Sequence, residues 1–564
     1  MKETEFNLLD EGWILARKDD CTVDALSLTD AILRSHEYSG LSGELPTQDV
    51  SVLRLMLAVL HTVFSRYSPD GEYDPPGSVY AAVCRWSELW QAGRFPEKPI
   101  RDYLESWHER FWLFHPERPF YQVVDAGKEK TSADFPVAKL NSSISESNNK
   151  IRLFSSRSGE EKQRLSYPEA ARWLLHINSF DDVSNERGKG TLFPPGIGVA
   201  WLGTLGVIYA QGNSLFETLM LNLIIYDTEH NRLWDDEMPV WEKENVSRSP
   251  RVLISPPTSL SALYTLQSRR TELLRENGFV TGCRIYGGDH FEKEDYFTEP
   301  MTVWGFDEMP KVGIPKFVPK THDKASQMWR EFSSCFTVRK DSGFEIRRPG
   351  IVRWVTFLRE GRAHCIEKDT LINFRICHVK YDKWNSLIDD LFSDSITFHT
   401  DLLTELGRHW QERVTEEIGK CDKLAEALGL FAKNLEFAAG ASEKAIKAKD
   451  APFNFGAKER LYYEIDIPFR EWLEEIDPEW ENDSAEEHKA LERWHKKAQK
   501  IALQIGNDLV QTAEPSAIIG RFVEGKKDKN GKKTEGHYYS AAKALIIFKN
   551  SIYNIYSVSK ERKK

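Results

Sequence analysis

Cysteine is sparse in this 564-residue chain: seven residues, at 21, 84, 283, 335, 365, 377 and 421, never approach within fewer than 12 positions of one another. That scatter excludes a disulfide framework and a CxxC zinc knuckle, and leaves reduced, mostly packed thiols. Long apolar runs are missing too. The membrane-like stretch Thr191–Phe216 carries no charge, but it holds Pro194, Pro195 and five glycines. Its apolar part, Ile197–Ala210, is too short to cross about 30 Å of hydrocarbon. The opening residues, MKETEFNLLDEGW, place acids where an export signal needs an apolar core, so a cytoplasmic protein without membrane contact is expected. Familiar enzyme signatures are absent as well. No GxxxxGK[ST], HExxH or GxSxG occurs, and Gly196, Gly198 and Gly203 do not fit GxGxxG.

What is present is a globular composition, 40% hydrophobic and 29% charged, in a chain too long for one core. The net charge of -11 argues against a protein that coats nucleic acid over its whole surface. The charge is nevertheless segregated. Residues 521–564 hold 12 Lys and Arg against 4 Asp and Glu, while residues 391–520 hold 16 against 26, which suggests separate faces for separate partners.

From about residue 396 apolar residues recur at steps of three and four, through Leu403, Leu406, Trp410, Val414, Ile418, Cys421, Leu424, Leu428, Phe431 and Leu435. This predicts one long amphipathic helix ending near Gly440. Three more helices are expected, at about 458–475, 485–512 and 538–556, with Pro468 kinking or restarting the first and Asp483 or Ser484 capping the second. The first 390 residues mix helical stretches, Val50–Tyr67 and Pro168–Phe180, with strand-like runs, Val352–Phe357 and Leu371–His378. The fold class expected is therefore mixed α/β, a large N-terminal α+β domain over 1–392 followed by a C-terminal four-helix bundle over 393–564. Asn141–Gly159 and Asn185–Gly198 are candidates for long functional loops.

Few side chains suggest chemistry. His108 and His115 flank or enter the aromatic cluster FWLFHPERPFYQV at 111–123, near Glu105, Glu109 and Glu117, but complete no ligand motif, and packing or capping explains them. GGDH at 287–290 reads as a turn. The remaining signal is aromatic residues interleaved with basic ones, because a base stacks on a ring while Lys or Arg meets phosphate. SNNKIRLFSSR at 147–157 sets Lys150, Arg152 and Arg157 around Phe154, with Asn148 and Asn149 as amide readers; HVKYDKWNS at 378–386 sets Lys380 and Lys383 around Tyr381 and Trp384.

In order along the chain, FNLLDEGWILAR at 6–17, RFWLFHPERPFYQV at 110–123, SNNKIRLF, and YPEAARWLLHINSFD at 167–181 resemble the CasA family, the large subunit of the type I-E Cascade complex of CRISPR immunity. The resemblance implies a non-enzymatic subunit with no cofactor and no metal. Such a subunit recognises the protospacer-adjacent motif in double-stranded target DNA, helps to start strand separation, sits among crRNA-containing Cascade subunits and docks a helicase-nuclease. Base pairing to the guide then reads the target sequence. By the same resemblance Phe154 is a loop aromatic that engages DNA, supported by Asn148, Asn149 and Arg152. Arg187, Gly188, Lys189 and Gly190 stand where the family's glycine-rich loop approaches the minor groove. A strand-separating wedge, often glutamine in the family, falls in Asp382–Ser386, where Lys383, Trp384 and Asn385 are the candidates; an indole there wedges by stacking. A further cationic contact falls to Arg284 or Lys293. Only Cys283 remains where some members bear zinc, so no zinc is expected. Two readings compete with this one: a metal-dependent nuclease built on His108, His115 and nearby acids, and a protein-only scaffold whose basic tail meets an acidic partner.

Overall fold

The computed structural model describes residues 4–124, 134–142, 157, 159–182, 198–244, 247–249, 251–292, 299–307, 316–322, 327–337, 347–360, 365–368, 370–382, 388–442, 452–524 and 536–557. The chain divides into two compact units, 1–326 with 334–395, and 327–333 with 396–564.

The first unit is mixed helix and strand. Its core helix, Pro46–Arg66, starts with proline where a missing N–H costs nothing. Val50, Val52, Leu53, Met56, Leu57, Val59 and Leu60 are all buried, so the helix is apolar on every side and has to be enclosed. It is long and apolar enough to cross a bilayer, yet 94% of its apolar window lies inside the protein. The helix Tyr167–Phe180 packs on it and opens with a capping box between Ser166 and Glu169. Strand Leu371–Tyr381 lies between Val207–Gln211 and Ile388–His399, with Asn373 opposite Gln211 and Cys377 opposite Val207. The hairpin Arg269–Glu276 with Phe279–Gly287 turns on Asn277 and Gly278. Both have positive φ, 50° and 80°, the left-handed pair that a tight twisted hairpin requires.

Three expectations are corrected in this unit. Val352–Phe357 is helical, inside Gly350–Glu360, because Ile351, Trp354, Val355 and Leu358 form one buried face at steps of three and four; burial outweighs β-branched propensity. GGDH is an interrupted strand and not a turn: Gly287 ends one strand, and Asp289–His290 runs parallel to Val252–Leu253. The bilayer-length helix is Pro46–Arg66, whereas hydropathy drew attention to 191–216.

The second unit is mainly helical. Its long helices among the described residues are Arg408–Ala439, Pro452–Glu474, Ala485–Gln511 and Ala541–Tyr556, which pack mutually around the first. Of the apolar positions that defined its pattern, Trp410, Val414, Cys421, Leu424, Leu428, Phe431 and Leu435 are buried and Leu406 is exposed. The helix opens later than the spacing predicts. Residues 388–399 form a strand and 400–403 a short 3-10 turn before the helix opens at Arg408. Pro468 does not restart its helix, which runs unbroken from Pro452 to Glu474; buried Ile465, Phe469, Trp472 and Leu473 hold it through a lost hydrogen bond. Ser484 caps Ala485–Gln511 by accepting from the Glu487 N–H. Two small additions were not foreseen, a five-residue helix Pro515–Ile519 and a ribbon of Arg521–Val523 with His537–Tyr539. Of the seven cysteines, Cys21 and Cys84 are exposed and the other five are buried.

Candidate nucleic-acid interface

The two most distinctive sequence segments lie together. Glu5–Asn7 pairs antiparallel with Trp112–Phe114, and the Leu8 N–H donates to Phe111 O at 3.0 Å. His108 Nε2 lies 2.8 Å from Asp10 Oδ2, and Asn7 Nδ2 donates to His108 O. Burial works against protonation of His108, but Asp10, helped by Glu105 and Glu109, outweighs it and raises the imidazole pKa above its ordinary value. His115 Nδ1 accepts the N–H groups of Glu117 and Arg118 at 3.1 and 3.0 Å, so it caps the HPERP turn. Gln122 then ties the segment to the hairpin, donating to Leu113 O and accepting from the Leu273 N–H. Both histidines thus have structural duties.

The twelve residues named from sequence, Asn148, Asn149, Arg152, Phe154, Arg187, Gly188, Lys189, Gly190, Lys293, Lys383, Trp384 and Asn385, all lie outside the described residues. Described residues that flank these segments in the chain are linked to one another. Segment 143–156 follows the short helix Val137–Leu140, whose Lys139 Nζ lies 2.6 Å from Asp181 and 2.9 Å from Asp182. Those two aspartates end the helix Tyr167–Phe180 and begin segment 183–197. Its return point, Gly198, accepts from Arg269, whose Nε also meets Asp181 Oδ2 at 2.6 Å. Segment 383–387 follows Tyr381 and Asp382 in the chain, and the Tyr381 hydroxyl donates to Phe180 O at 2.7 Å. Segment 293–298 lies between Phe291, whose ring centroid is 4.6 Å from that of Trp201, and Glu299, which accepts from Trp201 Nε1 and forms a bidentate pair with Arg54 at 2.8 and 2.9 Å.

The helix terminus explains several of these links. The last carbonyls of any helix lack intrahelical partners. Here Phe180 O takes the Tyr381 hydroxyl, and Asn178 O takes the Ser268 hydroxyl at 2.5 Å. Asn178 also bonds Leu266 O and the Arg269 N–H, which locks the hairpin to the helix end. Two carboxylates at a helix C-terminus meet an unfavourable dipole, and Lys139 and Arg269 offset it. Side chains of Lys139, Asp181 and Arg269 are 6%, 5% and 2% exposed, so the ions are paired in a place where unpaired charge is prohibitive. Burial, followed by the charge of Asp181, drives the Tyr381 phenol well above the usual tyrosine range; it stays protonated and able to donate. Gly203 makes room for it, since a Cβ there would lie 2.2 Å from the Tyr381 hydroxyl.

Other basic and aromatic candidates are engaged inside the fold. Tyr381 is a half-buried tie to Phe180 O and not a free stacking surface. Lys380 pairs with Asp389 at 2.6 Å, Arg157 with Glu169 at 2.6 Å, and Arg284 with Asp134 and Glu272 at 2.5 and 3.1 Å. Sequence reasoning missed Lys139, Asp181, Asp182 and Arg269. The signal available was the Asp-Asp pair directly after a helix, where acids are disfavoured unless cations meet them.

Comparison with known proteins gives one consistent answer. The family described as CRISPR-associated protein Cse1 matches residues 7–505. A CRISPR-associated protein CasA/Cse1 from Thermus thermophilus is 31% identical over 338 residues, 58% of this chain, and the match spans 60% of that relative's length. The crystal structure of Thermobifida fusca Cse1 superposes with a TM-score of 0.79 at 27% identity, covering 98% of both chains. Cse1 from Acidimicrobium ferrooxidans gives 0.73 at 22% identity, again over 98% of both. A chain of a structure described as a CRISPR RNA-guided surveillance complex gives 0.66 at 15% identity, over 98% of this chain and all of that one.

Proposed function

The chain belongs to the CRISPR-associated Cse1 family, and from that membership we propose that it is the large subunit of a crRNA-guided type I-E Cascade surveillance complex, working in the cytoplasm. In this reading it recognises the protospacer-adjacent motif in double-stranded target DNA, helps to start strand separation, and offers a docking surface to a helicase-nuclease. The observation that carries the DNA-reading part is this linkage. The described residues that flank the four segments holding the twelve candidates are joined by ion pairs and hydrogen bonds around the end of helix Tyr167–Phe180. A few contacts to flanking duplex are enough to pause a complex while the guide compares sequence. Lys189, Lys293, Lys383 and Arg152 meet phosphate, Phe154 and Trp384 stack on bases, Asn148, Asn149 and Asn385 bond base edges, and Arg187, Gly188 and Gly190 bring backbone close to the minor groove.

The reading is of a binding subunit and not an enzyme. The histidines that a nuclease would use are occupied, His108 by Asp10 and His115 by the turn it caps. Lys189→Ala with Lys383→Ala discriminates the remaining alternatives in the assembled complex. If both lysines contact phosphate, the slope of log affinity against log salt falls by about 0.9 per lysine. An unchanged slope favours a protein-only scaffold, and metal-dependent cleavage by the purified chain favours a nuclease.

A further inference from the structure

Against the core helix Pro46–Arg66 lies a cavity of about 160 Å³ that the DNA-reading account does not use. Buried Phe64, Trp86 and Leu260 line it, with Trp234 half-buried beside them. These aromatic walls are fixed. Trp86 Nε1 donates to Met220 O at 3.0 Å and Trp234 Nε1 to Ile224 O at 2.6 Å, while Trp86 stacks on Trp90 and Phe64 on Phe95. The polar groups of the lining are spent as well. Arg85 donates to Phe64 O and pairs with Asp74, Ser259 and Ser261 each donate to Glu237 O at 3.0 Å, and Ser65 donates to Thr62 O. One group is left over: His61, 7% exposed, makes no hydrogen bond among the described residues, and its Nε2 is fully buried without a partner. An imidazole taken out of water in this way forfeits both its donor and its acceptor, a cost that a ligand able to meet them would remove.

The lining selects what that ligand is. A buried water needs roughly two to four polar partners, and this wall offers one side chain. A closed apolar cavity of about 150 Å³ accepts benzene, so the volume here suits one six-membered ring. A hydroxyl on the ring both donates and accepts, and therefore serves either tautomer of a neutral imidazole. An anion is disfavoured: among the charged lining residues Arg85 is paired with Asp74 and Asp236 with Arg66, which leaves Asp235 as the unbalanced charge. We propose that this cavity is a binding site for a small neutral phenol, its ring enclosed by Phe64, Trp86 and Trp234 and its hydroxyl bonded to His61. None of these residues belongs to the proposed DNA contacts, so the site goes beyond that reading and does not depend on it.

Ligand-observed NMR titration of the full chain tests this with phenol, benzene and benzoate as probes. Phenol binds saturably and about fivefold or more tighter than benzene, the factor that one net hydrogen bond supplies, and benzoate does not displace it. His61→Leu keeps the cavity and removes the imidazole: phenol falls to within about twofold of benzene, while benzene binds at least as tightly as in the parent. Ala82→Leu adds bulk at a buried lining position and retains His61; it abolishes binding of both rings. If neither variant folds, the parent's preference for phenol over benzene decides alone. Absence of saturable phenol binding in the parent overturns the proposal, and so does equal affinity for phenol and benzene. A phenol preference that survives His61→Leu, or phenol binding that survives Ala82→Leu, places the ligand elsewhere and overturns it too. Displacement of phenol by benzoate contradicts the neutral ligand assigned here.

Discussion

A single hydrogen atom on Gly203 decides whether Tyr381 can reach Phe180. With a Cβ placed 2.2 Å from the hydroxyl, Gly203→Ala displaces the ring and costs about 1–3 kcal/mol, the usual range for overpacking. Tyr381→Phe removes the clashing oxygen along with its hydrogen bond, at about 0.5–1.5 kcal/mol. Chemical denaturation of the two single variants and the double variant gives the check: the double variant costs less than the sum, and strict additivity contradicts the contact. Buried histidines set a second residue-scale expectation. Burial pushes His61 and His176 down to about 3, so both are neutral in the fold while the unfolded chain titrates near 6.5. As pH falls below about 6.5 the unfolded state takes up protons that the folded state refuses, and stability declines, by about 1.4 kcal/mol per histidine at pH 5.5. His176→Gln keeps a partner for Thr47, which lies 3.0 Å from His176 Nε2. Between pH 7.5 and 5.5 this variant loses about 1.4 kcal/mol less than the parent; an identical loss contradicts a buried neutral imidazole.

Among the elements, a buried carboxylate joins two long helices of the second unit. Glu417 accepts from Trp494 Nε1 at 3.0 Å, from His495 Nε2 at 2.9 Å and from Lys420 at 2.8 Å. Burial pushes its carboxyl up, but His495 and Lys420 outweigh burial and hold it below the usual range. The stability it supplies is therefore present above about pH 4.5 and is lost as pH falls through the lower folded value. Glu417→Gln costs about 1–3 kcal/mol at pH 7 and flattens the acid limb of thermal unfolding; a limb of unchanged slope contradicts the tie. The same scale shows what a sequence makes legible. The regular three-four spacing of Trp410, Val414, Cys421, Leu424 and Leu428 reports a helix because one face is buried against neighbours. Further upstream the spacing misleads, because Ile396 and Phe398, two apart and buried, are the inward positions of a strand. The linking network was the least legible part. Lys139, Asp181, Arg269 and Tyr381 are scattered over more than 240 positions of the chain, and ordinary charged residues carry no local pattern that announces their pairing. Even Asp181 and Asp182, conspicuous after a helix, name no partner. Tyr381 was misread as a stacking surface for a related reason: composition shows an amphipathic strand end but not that this hydroxyl is spent on the Phe180 carbonyl.

For the whole molecule, the proposal places DNA reading on the first unit and leaves the helical second unit, with its net positive C-terminal stretch, for other subunits or for nucleic acid. An overall charge of -11 predicts that the isolated chain binds duplex weakly and that guide pairing within the complex supplies the missing affinity. Isolated-chain affinity for flanking duplex equal to that of the assembled complex would contradict this. Strand opening belongs at this scale too. If Trp384 is the wedge, as proposed, Trp384→Ala removes a stacking contact of about 1–3 kcal/mol, and permanganate reactivity of the first unpaired bases next to the motif falls with it; undiminished reactivity removes the wedge from Trp384. The most direct measurement of the central claim is target-duplex binding by the reconstituted complex, with and without this subunit, across a library of flanking trinucleotides. The account predicts that flank preference disappears when the subunit is left out, while guide-dependent binding to pre-opened target persists. Flank preference that survives removal of the subunit contradicts motif recognition by this chain.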